Sequence, residues 1–245
     1  MCVWGWVNTT GAMELKTDNT FTAEHHALLF AWLSEAVIAR EGGEGGAALM
    51  RRAVRRYGEE RGRRMALRAQ ADGEPLSMAN FMAYGELPAT PEASESASEA
   101  AGGTIRKTIT TCPWHTAWAE HDLMMHGRLY CLEIDQALVR GFNTTLRLDV
   151  NATQPSDSIP CEFVFHDVSE PGPERGRVMP WAYHLGHLYW TMAAVIIDSL
   201  GQEGAAATKA ALTRFGERYG KKAAGVVLGY REVDFTHPLE HHTGH

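Results

Sequence analysis

The central stretch of the chain contains Cys112-Pro-Trp114, Gly127-Arg-Leu-Tyr-Cys131-Leu-Glu-Ile-Asp135 and Ile159-Pro-Cys161-Glu-Phe-Val-Phe165. It holds three of the four cysteines of the 245-residue chain. Helical patterns precede and follow it. We therefore expect the centre to carry the chemistry of the protein and the flanking helices to form the walls around it.

Composition places the chain among ordinary globular proteins. It has 44% hydrophobic and 22% charged residues and a net charge of −7, which gives no basic field for nucleic acid. No apolar run is long enough to cross a bilayer, and no signal peptide is evident. We therefore predict a cytoplasmic protein with reduced thiols, no membrane or nucleic-acid partner, and one domain over residues 22–237. Residues 1–21 are expected to be a disordered leader and residues 238–245 a flexible tail.

Two helical hairpins are predicted, over residues 23–69 and 180–225. Thr22 is a typical N-cap for the first, and the glycine-rich run 42–46 separates its two helices. Placing residues 25–65 over 183–223 gives 14 identities in 41 positions without a gap. This match predicts an internal repeat and an approximate twofold relationship between the hairpins.

Gly58 and Gly62 lie four residues apart in the first hairpin, and Gly216 and Gly220 match them in the second. A glycine inside a helix costs about 1 kcal/mol relative to alanine. The spacing puts each pair on one helix face, where a neighbouring backbone can approach closely. This predicts tight helix packing or, alternatively, a homo-oligomer formed through these faces.

The central segment, residues 104–168, combines strand and helix patterns. Strands are predicted over 104–111, 146–150 and 161–165, and helices over 114–125 and 129–141. A flexible loop or lid is predicted over 88–103 because the sequence is rich in Pro, Ala, Ser, Glu and Gly. The predicted fold class is α+β, with helical hairpins enclosing a small antiparallel sheet.

The cysteines and their acidic neighbour are the first candidates for chemistry. Cys131 and Asp135 are one helical turn apart, so a thiol and a carboxylate could share a face. A carboxylate alone raises the pKa of a thiol, so a cation or histidine is needed nearby. His126, His121 and Arg128 are the local candidates, and His126 or His184 would act as the acid–base group. Cys161 would line the site. No C-x-x-C motif is present, and each cysteine could instead be a buried core residue.

A metal site is the second possibility. His184 and His187 lie three residues apart on one predicted helix, and His26 matches His184 in the repeat. With a cysteine or carboxylate from the centre, these imidazoles could hold zinc or manganese. A plain aromatic core is the alternative, in which case no cofactor is needed.

The arginine run 51–64 is interpreted mainly as a solvated helix face with ion pairs. Arg56 and its repeat partner Arg214 could also bind an anionic substrate. Motifs of P-loop, dinucleotide-binding, α/β-hydrolase and zincin enzymes are absent from the sequence.

The central motifs resemble those of the L-2-amino-thiazoline-4-carboxylic acid hydrolase family. The resemblance rests on Cys112-Pro-Trp114, the 127–143 segment, Asp157 and Cys161-Glu-Phe163, and on the segment 56–62 of the first hairpin. It implies hydrolytic opening of a small heterocycle that contains nitrogen and sulfur, and it implies roles for Cys112, Cys131, Asp135 and Cys161. This chain has His126 and Ser156 where the family pattern often has tyrosine and glycine.

Three functions follow as hypotheses. The first is a hydrolase that opens a small polar heterocycle at a C–N or C–S bond. In it Cys131, Asp135, His126 and Cys161 are catalytic, and Cys112, Trp114, Arg56 and Arg214 bind substrate. The second is a non-catalytic protein that binds a small molecule or a metal with the same pocket. The third is a structural helical domain.

Overall fold

The computed structural model of the protein describes residues 21–88, 96–157 and 160–239. The predicted leader, apart from Phe21, and the tail from residue 240 onward lie outside the described residues. Within the described parts, no helix is long and apolar enough to cross a membrane.

Ten helices lie in the described parts of the chain. Their bounds are α1 Ala23–Glu41, α2 Gly43–Ala71, α3 Met78–Ala83, α4 Pro113–Glu120, α5 Met124–Cys131, α6 Ile134–Phe142, α7 Gln154–Asp157, α8 Trp181–Leu200, α9 Gln202–Tyr219 and α10 Lys221–Leu228. The main core lies between α1, α2, α8 and α9, with α4 and α5 packed against it.

Four antiparallel strands form one sheet in the order β1-β2-β4-β3, with bounds β1 Ser96–Ala101, β2 Thr104–Ile109, β3 Leu148–Ala152 and β4 Cys161–His166. Alternate residues face a second core, which includes Ile105, Cys161 and Phe163 of the sheet and Val139 of α6. The α+β class and the small antiparallel sheet are therefore confirmed.

The first hairpin begins and turns where the sequence indicated. Thr22 is the N-cap of α1, and its backbone N–H donates to Nδ1 of His25 at 3.2 Å. Gly42 separates α1 from α2 and has a φ of +88°. This backbone conformation is higher in free energy for residues that carry a side chain than for glycine. The helix resumes at Gly43, so the break is shorter than the predicted run 42–46.

Strand β1 corrects the prediction of a flexible loop over 88–103. Residues 96–101 pair with β2 through a two-residue turn at Gly102 and Gly103, whose φ angles are +58° and +76°. Such glycine pairs are typical of tight hairpins, so a sequence signal was present. Residues 89–95 of the predicted loop lie outside the described residues.

The helix predicted over 129–141 is also wrong, because two helices meet there. Helix α5 ends at Cys131, and α6 begins at Ile134. Glu133 lies at the break and is bound by Arg51 and Arg55 of α2, with nitrogen–oxygen distances of 2.6 and 2.9 Å. These ion pairs hold the start of α6 against α2.

The two hairpins differ in their second helix. Helix α2 continues through Gly62, whereas α9 ends at Tyr219 and Gly220 adopts φ of +95° before α10. The internal repeat therefore stays a prediction from sequence.

Gly58 and Gly62 pack tightly, as predicted. A Cβ on Gly62 would lie 2.0 Å from the carbonyl oxygen of Leu138, and one on Gly58 would lie 2.6 Å from the Cβ of Ala137. Gly141 of α6 is equally close to the backbone of α2 at Glu59. This glycine face is thus covered by α6 within the same chain.

Candidate active site

Three cysteines reach one region from three different elements. Cys112 precedes α4, Cys131 ends α5 and Cys161 begins β4. All three are free thiols. Asp135, in the first turn of α6, is close enough to influence the titration of each of them. The structure therefore brings together the four residues on which the sequence prediction centred.

All three thiols are held in the protonated form at neutral pH. Burial raises the pKa of Cys131 well above its ordinary value, and Asp135 and the other two thiols raise it further. Burial also raises the pKa of Cys112 and of Cys161. The backbone N–H of Gln154 donates to Sγ of Cys161 at 3.3 Å, which only partly opposes this effect. A reactive thiolate here would need a base.

Asp135 is a base of suitable strength. Burial raises the pKa of its carboxyl to about 6, although Arg61 and Lys107 act in the opposite direction. Its side chain is densely surrounded by protein but is not completely shielded from solvent. A carboxyl that is ionised at pH 7 but basic enough to accept a proton suits general base catalysis.

The α2–α6 packing explains why Arg61 lies near Asp135. Gly58 lies against the first turn of α6, and Gly62 lies against its last turn. Arg61 lies between these glycines in sequence, and its side chain is 5% exposed. Lys107, which also lowers the pKa of Asp135, lies on β2 opposite Phe163 of β4.

A polar cleft opens beside Cys131, with a volume of about 320 Å³. Its lining comes from α5, α6, β3 and α7 and includes Arg128, Cys131, Gln136, Asn151, Thr153, Ser156 and Asp157. The buried hydroxyls of Thr153 and Ser156 have no hydrogen-bond partner within the described part of the chain. Buried hydroxyls without partners are unfavourable, so these groups are suited to a polar ligand.

Aromatic rings surround His26 next to this region. The Nε1–H of Trp114 donates to Nδ1 of His26 at 3.0 Å, which leaves Nε2–H of His26 to donate to the Tyr57 hydroxyl at 3.0 Å. Tyr130 and Trp181 lie edge-on to the same imidazole. Burial lowers the pKa of His26 well below its ordinary value, and the nearby His184, Arg61 and His187 contribute. His26 is therefore neutral and held rigidly.

His184 and His187 are also buried and hydrogen-bonded. Nε2 of His184 is 3.0 Å from the backbone oxygen of Glu86, and Nε2 of His187 is 2.9 Å from a carboxylate oxygen of Glu60. Nδ1 of His187 lies 3.3 Å from Arg64. Burial lowers the pKa of both imidazoles, that of His184 to about 3.

The predicted metal ligands do not form a donor set here. Among residues 21–88, 96–157 and 160–239, no group of three His, Cys, Asp or Glu side chains is placed to hold a metal ion. His26 and His187 use both ring nitrogens in hydrogen bonds within the protein. These described residues therefore do not fit the predicted zinc or manganese site.

The sequence model of the L-2-amino-thiazoline-4-carboxylic acid hydrolase family matches residues 21–165, more than half of the chain. The chain belongs to this family. The search of curated proteins and the search of solved structures found no match. Membership of a hydrolase family supports an enzyme with a small-molecule substrate. The matched region includes Cys112, Cys131, Asp135 and Cys161, and it ends before the histidines of α8.

Three other residues that were predicted to belong to the site of this family member lie away from Asp135. Nδ1 of His126 is 2.9 Å from the hydroxyl of Ser34, and its charged neighbours are Glu35 and Arg214. Arg214 pairs with Glu35 and stacks over Trp32, with 5.0 Å to the ring centroid. Arg56 is half-exposed and pairs with Glu60 at 2.9 Å. The structure does not bring these three side chains to Asp135.

Two cationic residues near Asp135 in this hydrolase family member, Lys107 and Arg61, were not predicted from the sequence. Lys107 lies between Ile105 and Ile109 in the strand alternation, so its inward orientation could have been read from the sequence. Arg61 lies between Gly58 and Gly62, but nothing in the arginine run distinguishes it from its neighbours. Only the packing of α2 against α6 does so.

Proposed function

We propose that the protein is a hydrolase that opens a small polar heterocycle containing nitrogen and sulfur, at a C–N or C–S bond. Cys131 is the nucleophile and Asp135 is the general base. The observation that carries this proposal is the pairing of a protonated Cys131 thiol with a carboxyl whose pKa is about 6, beside an accessible polar cleft.

In the first step, the Asp135 carboxylate takes the proton from the thiol of Cys131 as the sulfur adds to the electrophilic ring carbon. The bond from that carbon to the ring heteroatom then breaks. Asp135 returns the proton to the leaving nitrogen or sulfur. The product is a covalent enzyme adduct in which the ring is open and Asp135 is again ionised.

In the second step, water attacks the same carbon. Asp135 accepts a proton from this water, and the bond to the Cys131 sulfur breaks. The proton passes to the departing sulfur and restores the thiol. The sum of both steps is the addition of one water across the broken ring bond, with no external oxidant or reductant.

The surrounding residues would position the substrate. Cys112, Cys161 and Trp114 would contact the substrate beside Cys131, and Lys107 and Arg61 would supply positive charge next to Asp135. A cytoplasmic location would suit thiols that must stay reduced.

A non-catalytic small-molecule-binding protein with the same pocket is the second candidate. It is favoured by the raised pKa of all three thiols, because no thiolate is present before a base acts.

The test is incubation with 2-amino-thiazoline-4-carboxylate in ¹⁸O-labelled water, with ring opening followed by mass spectrometry. We expect a product with one ¹⁸O atom, loss of turnover by at least about 1,000-fold in Cys131→Ala, and a similar loss in Asp135→Asn. Asp198→Asn, at an exposed position on α8, is the matched control and should keep wild-type turnover.

Two further readouts separate the alternatives. Intact-protein mass spectrometry after rapid quenching should find the substrate adduct on the wild type and none on Cys131→Ala. Elemental analysis of untagged protein tests the metal prediction: about one zinc or manganese per chain, lost together with activity on chelation, would replace the thiol mechanism. Saturable binding without turnover of this substrate would favour the binding protein.

A further inference from the structure

Helix α2 carries three arginines that share one buried carboxylate. Glu86 is 1% exposed and lies within 4 Å of Arg61, Arg64 and Arg68, at 3.7, 2.8 and 2.7 Å. Arg61 also lies near the Asp135 carboxyl, so three guanidinium groups face two carboxyl groups and one positive charge is left in excess when both are ionised. Buried charge without compensation is costly, so this cluster is suited to a further anion.

Arg61 is the one arginine of this cluster that makes no hydrogen bond to Glu86, although the Nε–H of Arg68 also has no partner among the described residues. Both oxygens of Glu86 already accept hydrogen bonds from Arg64, at 3.0 and 2.8 Å, and one also accepts from Arg68 at 2.7 Å. The 3.7 Å approach of Arg61 is too long for a hydrogen bond. Its Nε–H has no hydrogen-bond partner among the described residues although the side chain is almost fully buried.

The position of Arg61 relates this donor to the candidate active site. The glycine packing holds α2 against the first turn of α6, where Asp135 lies. The guanidinium carbon of Arg61 lies 5.6 Å from the ring centroid of Tyr57, which is itself hydrogen-bonded to His26. Arg61 thus lies between the Glu86 cluster, the aromatic rings around His26, and Asp135.

We propose that Arg61 is the specificity residue that binds the carboxylate of the substrate. A planar guanidinium can donate two parallel hydrogen bonds to a carboxylate, and burial strengthens that contact. Arg61 and Asp135 then have separate roles: Arg61 binds the carboxylate of the substrate, and Asp135 transfers the proton at the ring. The inference rests on the proposed function for its substrate, and it replaces Arg56 and Arg214 as the anion-binding residues.

Two probes test it, 2-amino-thiazoline-4-carboxylate and 2-amino-thiazoline, which lacks the carboxylate. In the wild type, kcat/KM should be much higher for the carboxylate. Arg61→Met should lower kcat/KM for the carboxylate by roughly 100-fold, mainly through KM, and lower that for 2-amino-thiazoline by at most about 10-fold, because Arg61 also acts on the pKa of Asp135. Arg61→Lys should recover part of the loss because it restores the charge without the planar donor pair.

Two control variants separate anion binding from structural damage. Arg68→Met removes another arginine of the same cluster and should lower thermal stability while keeping the preference for the carboxylate. Arg63→Met removes an exposed arginine of α2 and should change neither. Equal losses for both probes in Arg61→Met and Arg61→Lys, or an unchanged carboxylate preference in both, would overturn the inference.

Calorimetric binding to Cys131→Ala and to the double variant Cys131→Ala/Arg61→Met tests the inference without turnover. Arg61-dependent binding of the carboxylate would uphold it even if the wild type opened no ring and the proposed function failed. The inference is wrong, and the proposed function is retained, if the wild type turns over the substrate while both variants bind the carboxylate equally tightly.

Discussion

Gly62 of α2 lies so close to Leu138 of α6 that a Cβ on the glycine would be 2.0 Å from the carbonyl oxygen of Leu138. The obstruction is backbone on a packed helix, which cannot rotate away as a flexible side chain can. This contact fixes the last turn of α6 on α2, and Gly58 packs against the first turn of α6, where Asp135 lies.

Gly62→Ala should lower the free energy of unfolding by about 1–3 kcal/mol or more, because the methyl group forces α2 and α6 apart. Gly225→Ala is the control, since that glycine is also helical and a Cβ there meets nothing within 4 Å. It should raise stability by up to about 1 kcal/mol through helix propensity. Urea denaturation measures both, and a Gly62→Ala variant as stable as the wild type would contradict the packing described here.

Glu86→Gln should strongly destabilise the protein. Burial alone would raise the pKa of Glu86, but Arg64, Arg61 and Arg68 hold it well below its ordinary range. Removing the charge leaves three arginines without their shared partner and should cost about 3–5 kcal/mol at pH 7. Glu59→Gln, which breaks an exposed pair with Arg140, should cost less than about 1 kcal/mol.

The stabilisation of the folded protein by the ionised Glu86 carboxylate should decrease at low pH. Because the pKa of Glu86 is lower in the folded than in the unfolded protein, its stabilising effect is complete above the unfolded pKa of about 4.3 and is lost as the pH falls below it. The stability difference between wild type and Glu86→Gln should therefore shrink below pH 4. A difference that stays constant from pH 7 to pH 3 would argue against the ion cluster.

Asp135→Asn should show the opposite dependence. The pKa of Asp135 is about 6 in the folded protein and about 3.9 when unfolded, so the folded state binds more protons between these values. The contribution of Asp135 to the free energy of unfolding of the wild type therefore falls as the pH rises from 4 to 6. Relative to wild type, Asp135→Asn should gain roughly 2–3 kcal/mol between pH 4 and pH 7. Urea denaturation at both pH values gives this change directly, and no gain would mean that Asp135 titrates normally.

Cys131 should react slowly with iodoacetamide at neutral pH. Its raised thiol pKa keeps the thiolate scarce, so the alkylation rate should rise about tenfold per pH unit up to pH 9. Asp135→Asn should speed alkylation at pH 8 because it removes a neighbouring negative charge. Mass spectrometry of the peptide containing Cys131 follows the rate, and a plateau already at pH 7 would reveal a preformed thiolate.

Local patterns determined much of the fold. Apolar spacing located α1 and α2, Gly42 marked the turn between them, and β-branched alternation located β2. These features depend on interactions between residues close in sequence, which is why they can be read from the chain. The break between α5 and α6 was not predicted, because it depends on ion pairs between Glu133 and α2, which is distant along the chain.

The composition of the site was likewise partly determined by sequence. The cysteines and Asp135 were identified from their residue types and from the family motif, and the structure brings them together. Tertiary structure alone decided which cations join them. Arg61 differs from Arg56 by little in sequence, yet the first is buried near Asp135 and the second is half-exposed on Glu60. Burial, shared charge and pKa depend on neighbours that are distant along the chain, and only folding supplies those neighbours.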